Sequence, residues 1–370
     1  MTETKGQVPL LSQIYFYLTQ GCNLACRHCW LAPGYDADAK RYPVLPTPLF
    51  ARAIDEAMPL GLEGVKLTGG EPLLHPDFLR LAEIAGERNL RLVIETNGLL
   101  CTEEIARAVA SLPHRFVSVS IDGADAETHD SIRGVAGSFQ RATQAVRFLA
   151  SAGLRPQVIF TVMRANAGQV DTIVSLAEGL GAGSVKFNVV QPAARGRRMR
   201  DDGETLTVPE LISLGRYVEK ELSARTSLTL FFDYPHAFRS LSRIASGDGC
   251  GVCGILGIIG VIPSGHYALC GIGEHLPELT FGRVGEDRLD RIWRGHPLLT
   301  LLREDLPERL EGICGRCLMK HRCMGACVAQ NYYLSRNLFA PYWFCEEAER
   351  QGLFPFSRLA ARNSTLPERG

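Results

Sequence analysis

The chain has no excess of charge of either sign: among its 370 residues, Lys plus Arg number 40 and Asp plus Glu number 40. With no net field to draw in a polyanion, nucleic acid and anionic membrane are excluded as expected partners, which leaves a small, polar or peptidic one. The N-terminal stretch MTETKGQVPLLSQ lacks a basic start followed by a long apolar segment, and no run of about 18 apolar residues occurs elsewhere. Neither secretion nor a membrane span is indicated, so the expected location is the cytoplasm. Low-complexity tracts are missing, and so are long repeats. What the chain does have is cysteine, 12 in all. In a reducing compartment that number points to metal ligands rather than disulfides.

A chain of this length buries roughly three quarters of its unfolded surface and forms one large or two ordinary domains. From residue 13 to about 233, short β-rich apolar runs alternate with longer stretches of helical periodicity. The expected strands are Ile14 to Leu18, Gly64 to Thr68, Leu90 to Glu95, Phe116 to Ile121, Gln157 to Val162 and Ser184 to Val189. Helical patterns follow them at 47–58, 77–88, 103–111, 138–152, 168–180 and 208–223. Repeated β-α units with right-handed crossovers make a parallel α/β sheet, either doubly wound or curled into a barrel, and periodicity does not separate the two. After about Phe232 the sequence becomes Gly-rich and Cys-rich, with a hairpin expected around Pro263-Ser264-Gly265, so a second domain is expected from residue 235 to 370 after a first of 1–234. The last residues, NSTLPERG, look like a frayed tail.

Three cysteines sit just after the first strand, Cys22, Cys26 and Cys29, in Gly-Cys-Asn-Leu-Ala-Cys-Arg-His-Cys-Trp. A four-iron cluster normally takes four thiolates, so a compact set of three leaves one iron open to a ligand. Zinc would want four tight ligands, and a disulfide framework belongs to short secreted chains. At this point the chain resembles the radical S-adenosylmethionine (SAM) superfamily. The resemblance implies that Cys22, Cys26 and Cys29 are the catalytic cluster ligands and that the open iron chelates the methionyl amine and carboxylate of SAM. A reduced cluster then cleaves SAM to a 5'-deoxyadenosyl radical. It also selects, between the two sheet forms, a partial (β/α)6 TIM-like barrel. The Cys triplet, Gly69-Gly70-Glu71-Pro72, Thr96-Asn97-Gly98 and Asp122-Gly123 then all follow strand C-termini, where barrel chemistry gathers.

Two adjacent glycines remove Cβ atoms where backbone approaches a ligand, and a carboxylate offers acceptors to an ammonium. By resemblance Gly69, Gly70 and Glu71 grip the SAM amino group; an isolated GGEP would read as a tight turn with a solvated Glu. Ser118, Ser120 and Asp122 end the fourth strand, with Ser120 expected to bond SAM and strand-end polarity as the plain alternative. Arg133 and Arg141 lie in a stretch resembling the SAM-carboxylate region, and one of them is expected to fork onto that carboxylate while the other makes a surface ion pair. His28 occupies the family's usual aromatic position beside the adenine, as a packing or hydrogen-bonding ring. Asn97 reads equally as a pocket residue and a turn former. Arg195, Arg197, Arg198 and Arg200, followed by Asp201 and Asp202, read as a solvated loop.

Beyond the barrel the cysteines run Cys250, Cys253, Cys270, Cys314, Cys317, Cys323, Cys327 and Cys345, with Gly265 ahead of Cys270. A zinc ribbon is the structural alternative, since C-x2-C pairs suit zinc. The ordered series resembles the SPASM domain of peptide-modifying radical SAM enzymes, which implies a small Cys-rich domain carrying two auxiliary four-iron clusters. In that resemblance Cys250, Cys253, Cys270 and Cys327 hold one, and Cys314, Cys317, Cys323 and Cys345 the other. Cys101 is left over as a thiol with no redox duty.

The resemblance implies a radical SAM oxidoreductase that abstracts a hydrogen atom from a peptide residue, giving oxidative modification or crosslinking, as in maturases of ribosomal peptides. The alternative is an anaerobic sulfatase-maturating enzyme. Members of that kind carry an Asp directly after the cysteine of the G-x4-C element, where this chain has Gly271; Glu274 and His275 lie nearby. The segment NYYLSRNLFAPYWFCEEAERQGLFPFSR resembles the C-termini of peptide maturases, or is simply a core around Cys345. A non-catalytic iron-sulfur electron-transfer protein would explain the thiols but not GGEP. Expected partners are a peptide or protein substrate, an electron donor such as flavodoxin or ferredoxin, and, with only 21 residues ahead of Cys22, a separate leader-binding protein or recognition by the barrel mouth.

Overall fold

The computed structural model describes residues 8–36, 41–245 and 253–360. Its framework is a sheet of strands β1 Gln13–Tyr17, β2 Gly64–Thr68, β3 Arg91–Thr96, β4 Arg115–Ser120, β5 Gln157–Val162, β6 Ser184–Val189, β7 Thr229–Phe232, β8 Ile258–Val261, β9 His266–Ala268 and β10 Thr280–Arg283. The order is β10-β9-β8-β1-β2-β3-β4-β5-β6-β7, parallel from β8 through β7 and antiparallel at β9 and β10. Its end strands are not paired to each other, so it is an open, partial barrel, as the α/β expectation held. Helices α1 Thr47–Ala57, α2 Phe78–Glu87, α3 Glu103–Ser111, α4 Ala126–Arg133, α5 Ser138–Ser151, α6 Val170–Gly179, α7 Arg195–Asp201 and α8 Val208–Lys220 lie between the first seven strands.

The two faces of the sheet follow from strand alternation. Ile14 and Phe16 on β1, Val65 and Leu67 on β2, and Val185 and Phe187 on β6 are buried toward the helices; Phe16 meets Phe50 of α1 with ring centroids 4.2 Å apart. Burying each such side chain contributes about 1.5–3 kcal/mol, which fixes the register, because a one-residue slip would turn this set to the other face. The opposite face carries Tyr15, Lys66, Glu95, Ser118, Ser120, Thr161, Lys186 and Asn188, an unusually polar set for a barrel interior.

The chain divides into two compact units, residues 1–233 with 254–304, and residues 234–253 with 305–370. This corrects the boundary expected at 234/235. The cause is the apolar run Ile258–Val261, wholly buried and paired in parallel with β1, followed by a hairpin turning at Pro263-Ser264-Gly265, where Gly265 has φ 83°. The second unit has its own aromatic core: the Phe238 ring lies 5.2 Å from that of Phe344 and 5.7 Å from that of Phe354. No helix among the described residues is long and apolar enough to cross a membrane.

Candidate active site: the cysteine loop and its cavity

The loop after β1 is held from three sides, two by backbone bonds and one by a side chain. Gly70 N–H donates to Thr19 O at 3.0 Å and Glu71 N–H to Gly21 O at 3.1 Å, so the end of β2 grips the loop's start. Ala25 and Arg27 N–H groups donate to the Arg133 and Ile132 carbonyls, both at 3.0 Å, so the open C-terminal end of α4 holds its middle. The Arg195 guanidinium donates to Cys26 O at 3.2 Å and Pro33 O at 3.0 Å, fastening its far side. Cys22, Cys26 and Cys29 line one cavity, which Gly69, Gly70, Glu71, His28, Ser120 and Arg133 also line. Burial pushes the Cys22 and Cys26 thiols above their ordinary range, so they stay protonated until a metal takes them.

The glycines of GGEP serve the chain itself. A Cβ on Gly70 would lie 1.9 Å from Gly21 O, and Gly69 has φ 131° with its Cβ position 2.9 Å from Leu18 N. The close approach is strand end against cysteine loop. Glu71 is almost wholly buried and is an acceptor three times over: Oε1 from Leu73 N–H at 3.0 Å and Thr96 Oγ1–H at 2.6 Å, Oε2 from Asn97 N–H at 2.8 Å. Burial lifts its carboxyl to about 7 even against those bonds. A Glu71→Gln change puts an amide NH2 against a backbone N–H in either orientation. The expected cost is about 1–3 kcal/mol of stability, read as a lowered Tm, with SAM affinity falling alongside; an unchanged Tm removes this bond set.

A second polar group backs the loop. Asp122, fully buried after β4, meets Arg133 Nη2 at 2.7 Å and His28 Nε2 at 3.4 Å, and accepts from Thr161 N–H at 2.7 Å. Arg133 Nη1 reaches Cys26 Sγ at 3.5 Å. Burial alone would raise the Asp122 carboxyl, yet Arg133, His28 and the Thr161 amide hold it below the usual range. Burial also pushes His28 and His129 down to about 4, so both are neutral, and His129 Nδ1 accepts from Asp122 N–H at 3.1 Å. Asn97 Nδ2 donates to Asn23 Oδ1 at 2.8 Å and lies 3.8 Å from Cys22 Sγ, which makes it a loop support as well as a cavity residue.

Arg133, not Arg141, is at the cavity. Arg141 is exposed on α5, whose inward face is Ala142, Ala145 and Val146, and this corrects its expected place among SAM contacts. Of the basic run, Arg197 and Arg198 are solvated and pair with Asp201 and Asp202 one turn on, whereas Arg195 lines the cavity. Sequence reasoning placed Thr96 and Asp122 at strand ends on the chemical side of the barrel without giving either a partner, and it gave His129 no role. Their signal, polar side chains at strand ends and on a short helix, is indistinguishable from solvated polarity until packing is known. Cys101 is buried outside the cavity, its thiol raised to about 12 by burial.

The atoms left on the cavity wall suit SAM. His28 Nδ1, Arg133 Nε and Asn188 Oδ1 are buried without a hydrogen-bond partner, a mix of donors and acceptors for a nucleoside joined to an amino acid. The residues thus fit a three-thiolate cluster with SAM beside it.

In the second unit, Cys314, Cys317, Cys323 and Cys345 line one small cavity. The Tyr342 N–H lies 3.3 Å from Cys314 Sγ and the Met319 N–H 3.3 Å from Cys317 Sγ, bonds of the kind that set cluster potentials. Among the described residues no three His, Cys, Asp or Glu side chains converge on one ion; a four-iron cube takes one thiolate per iron, so its ligands line a cavity. Of the other expected set, Cys270 belongs to the first unit, Cys253 and Cys327 belong to the second, and Cys250 lies outside the described residues. At Gly271 a Cβ would lie 2.3 Å from the Tyr17 ring, so that ring fills the space a side chain there would need. Glu274 accepts from Gln20 Nε2 at 3.3 Å, and His275 Nε2 is 3.0 Å from Trp30 O.

The family model for the radical SAM superfamily matches residues 16–171. The AdoMet-dependent heme synthase of Methanosarcina barkeri is 32% identical over 330 residues, covering 86% of this chain and 91% of that one. The mycofactocin maturase MftC of Mycobacterium ulcerans is 31% identical over 326 residues, covering 88% and 85%. Among solved structures, Streptococcus suis SuiB bound to its precursor peptide SuiA superposes with a TM-score of 0.73 at 17% identity, covering 92% of this chain and 76% of that one.

Proposed function

We propose, from the premise that this chain belongs to the radical SAM superfamily and uses SAM with a four-iron cluster, that it is a maturase acting on a genetically encoded peptide. When bound, cluster and SAM supply a carbon-centred radical that removes a hydrogen atom from a peptide residue and starts an oxidative modification or crosslink. The observation that carries the reading is three thiols opening onto one cavity with unpartnered polar atoms on its wall. In this reading Cys22, Cys26 and Cys29 hold three irons, and Gly69, Gly70 and Glu71 frame the amino-acid end of SAM. Ser120 and the unpartnered Nε of Arg133 face its oxygens, and His28 offers a neutral ring. The peptide substrate is supported by the mycofactocin maturase relative. A low-potential one-electron donor of the flavodoxin or ferredoxin kind is the partner this chemistry requires.

Cys314, Cys317, Cys323 and Cys345 hold an auxiliary four-iron cluster in this reading, supported by their common cavity and the two N–H···S contacts. A second auxiliary cluster on Cys250, Cys253, Cys270 and Cys327 rests on the resemblance alone. The substrate radical of a net two-electron oxidation still has one electron to lose, and a cluster held by these cysteines would supply a reducible centre to accept it. Anaerobically reconstituted protein given SAM and dithionite is expected to form 5'-deoxyadenosine; none formed would leave a non-catalytic electron carrier. A Cys314→Ala variant is expected to lose about four irons and all peptide product while 5'-deoxyadenosine still forms. Product that persists with the unit folded overturns the electron-accepting role.

A second reading, haem formation, is favoured by the heme synthase relative. The same reconstituted protein would then convert a tetrapyrrole precursor to haem, read by its absorption, and leave peptides untouched. Sulfatase maturation loses support because Tyr17 stands where a side chain at position 271 would have to go.

A further inference from the structure

The barrel interior beside the SAM cavity carries more positive than negative charge. On β2, Lys66 points inward, opposite Tyr15 and Val93 in register, and its ammonium meets the Glu95 carboxylate of β3 at 2.7 Å and lies 4.7 Å from the centre of the Tyr15 ring. On β6, Lys186 lies between Val185 and Phe187, both fully buried toward the helices, so its side chain takes the inward face. Its neighbours in register are Ile159 and Phe231, neither of which offers an acceptor side chain. Both lysines act on Glu95: burial would raise that carboxyl, and Lys66 and then Lys186 hold it below its ordinary range.

Two ammonium groups therefore share one carboxylate, and the carboxylate is already hydrogen-bonded to Lys66. Lys186 is half-buried, and among the described residues it forms no ion pair and no hydrogen bond. Its ammonium stands on the inward face beside a carboxylate already hydrogen-bonded to Lys66, and so is open to an incoming anion. The position also suits a substrate. Asn188 stands two residues further along β6 on the same face and lines the SAM cavity, with its Oδ1 buried and unpartnered, and Glu95 lines that cavity too. Two strand residues span about 7 Å, so Lys186 stands one inward-facing position from Asn188 at the cavity wall.

We propose that Lys186 is a substrate-binding residue that receives a carboxylate of the peptide, either an Asp or Glu side chain or the C-terminal carboxylate, with the Lys66–Glu95 pair as the fixed wall beside it. This deepens the maturase reading and rests on it. The carboxylate anchors the peptide in the barrel so that a neighbouring C–H faces the radical source, and a peptide lacking that charge loses the anchor.

The probe is a set of synthetic peptides from reading frames beside the gene, each made in forms that differ in one carboxylate: Asp against Asn, Glu against Gln, free against amidated C terminus. With the reconstituted enzyme, one acid form is expected to show a KM at least tenfold below its amide partner, and which pair does so identifies the carboxylate as side-chain or terminal. Lys186→Gln is expected to erase that preference and Lys186→Arg to keep most of it, with 5'-deoxyadenosine formation measured alongside as the index of an intact SAM site. Equal KM for acid and amide forms in the wild type overturns the proposal without any variant, and so does a Lys186→Gln enzyme that keeps the preference. If 5'-deoxyadenosine forms but no peptide is converted, the maturase reading falls and takes this one with it.

Discussion

Replacing Gly70 by Ala is expected to abolish the N-terminal cluster site. The added methyl would stand 1.9 Å from Gly21 O, 2.6 Å from Gly21 C and 3.1 Å from Thr19 Oγ1. Two of these are backbone atoms of the cysteine loop, so no rotamer change relieves the overlap, and the strand end and the loop must separate by more than 1 Å, roughly the shortfall from normal contact. That movement breaks the Gly70 N–H to Thr19 O and Glu71 N–H to Gly21 O bonds, which place Cys22 relative to β2. Overpacking of this kind costs about 3 kcal/mol or more. Iron counting after anaerobic reconstitution should show about four fewer irons than wild type, with no spectral response to SAM. A control separates space from composition: Gly179, in α6, has nothing within 4 Å of its Cβ position, so Gly179→Ala should leave both iron content and SAM response intact. A Gly70→Ala protein with full iron and normal SAM response would show that the grip of β2 on the loop is dispensable.

The strand core was legible in the sequence because burial on the helix-facing side dictates alternation. Gly64–Thr68, Gln157–Val162 and Ser184–Val189 fall where the apolar pattern places them, and the other three shift by one residue. Helix α4 was not legible. It has start and stop signals, with Asp125 Oδ1 accepting from Thr128 N–H at 2.8 Å and Gly134 at φ 75°, but what it buries is His129, Ile132 and Arg133. A helix that buries charge leaves no apolar period to find. The same fact concealed which arginine faces the cavity, since Arg133 and Arg141 differ only in tertiary placement. The reach of the first unit to residue 304 was hidden for a different reason: Ile258–Val261 is too short a run to distinguish a strand added beside β1 from the start of a new domain. Cysteine spacing, by contrast, singled out the N-terminal triplet, whose residues line one cavity; the grouping of Cys314, Cys317, Cys323 and Cys345, which also line one cavity, came from the resemblance to the SPASM domain and not from spacing.

The largest stability loss among single substitutions near the site is expected for Arg133→Met. Asp122 is fully buried and Arg133 nearly so, and their 2.7 Å contact is the main compensation each has for leaving water. With the guanidinium gone, Asp122 retains the Thr161 amide and a neutral His28 at 3.4 Å, which is not enough to keep a carboxylate charged at that depth. Breaking a buried pair by removing one partner costs about 3–5 kcal/mol. The sign of the pH dependence follows from the direction of the Asp122 shift. A carboxyl held below its unfolded value contributes stability that is present above the unfolded pKa and is lost as pH falls through the folded one. Without Arg133 burial pushes the carboxyl above its unfolded value instead, a burden that is greatest near neutrality and is relieved as the group protonates, so the gap in Tm between variant and wild type is wide near neutrality and narrows in acid. Asp122→Asn combined with Arg133→Met leaves no unpaired charge, so the double variant should lose clearly less than the two single losses added together. Additive losses, or an Arg133→Met protein within about 0.5 kcal/mol of wild type, would mean that this pair does not hold α4 to the end of β4, and the grip of α4 on the cysteine loop would then rest on the carbonyls of Ile132 and Arg133.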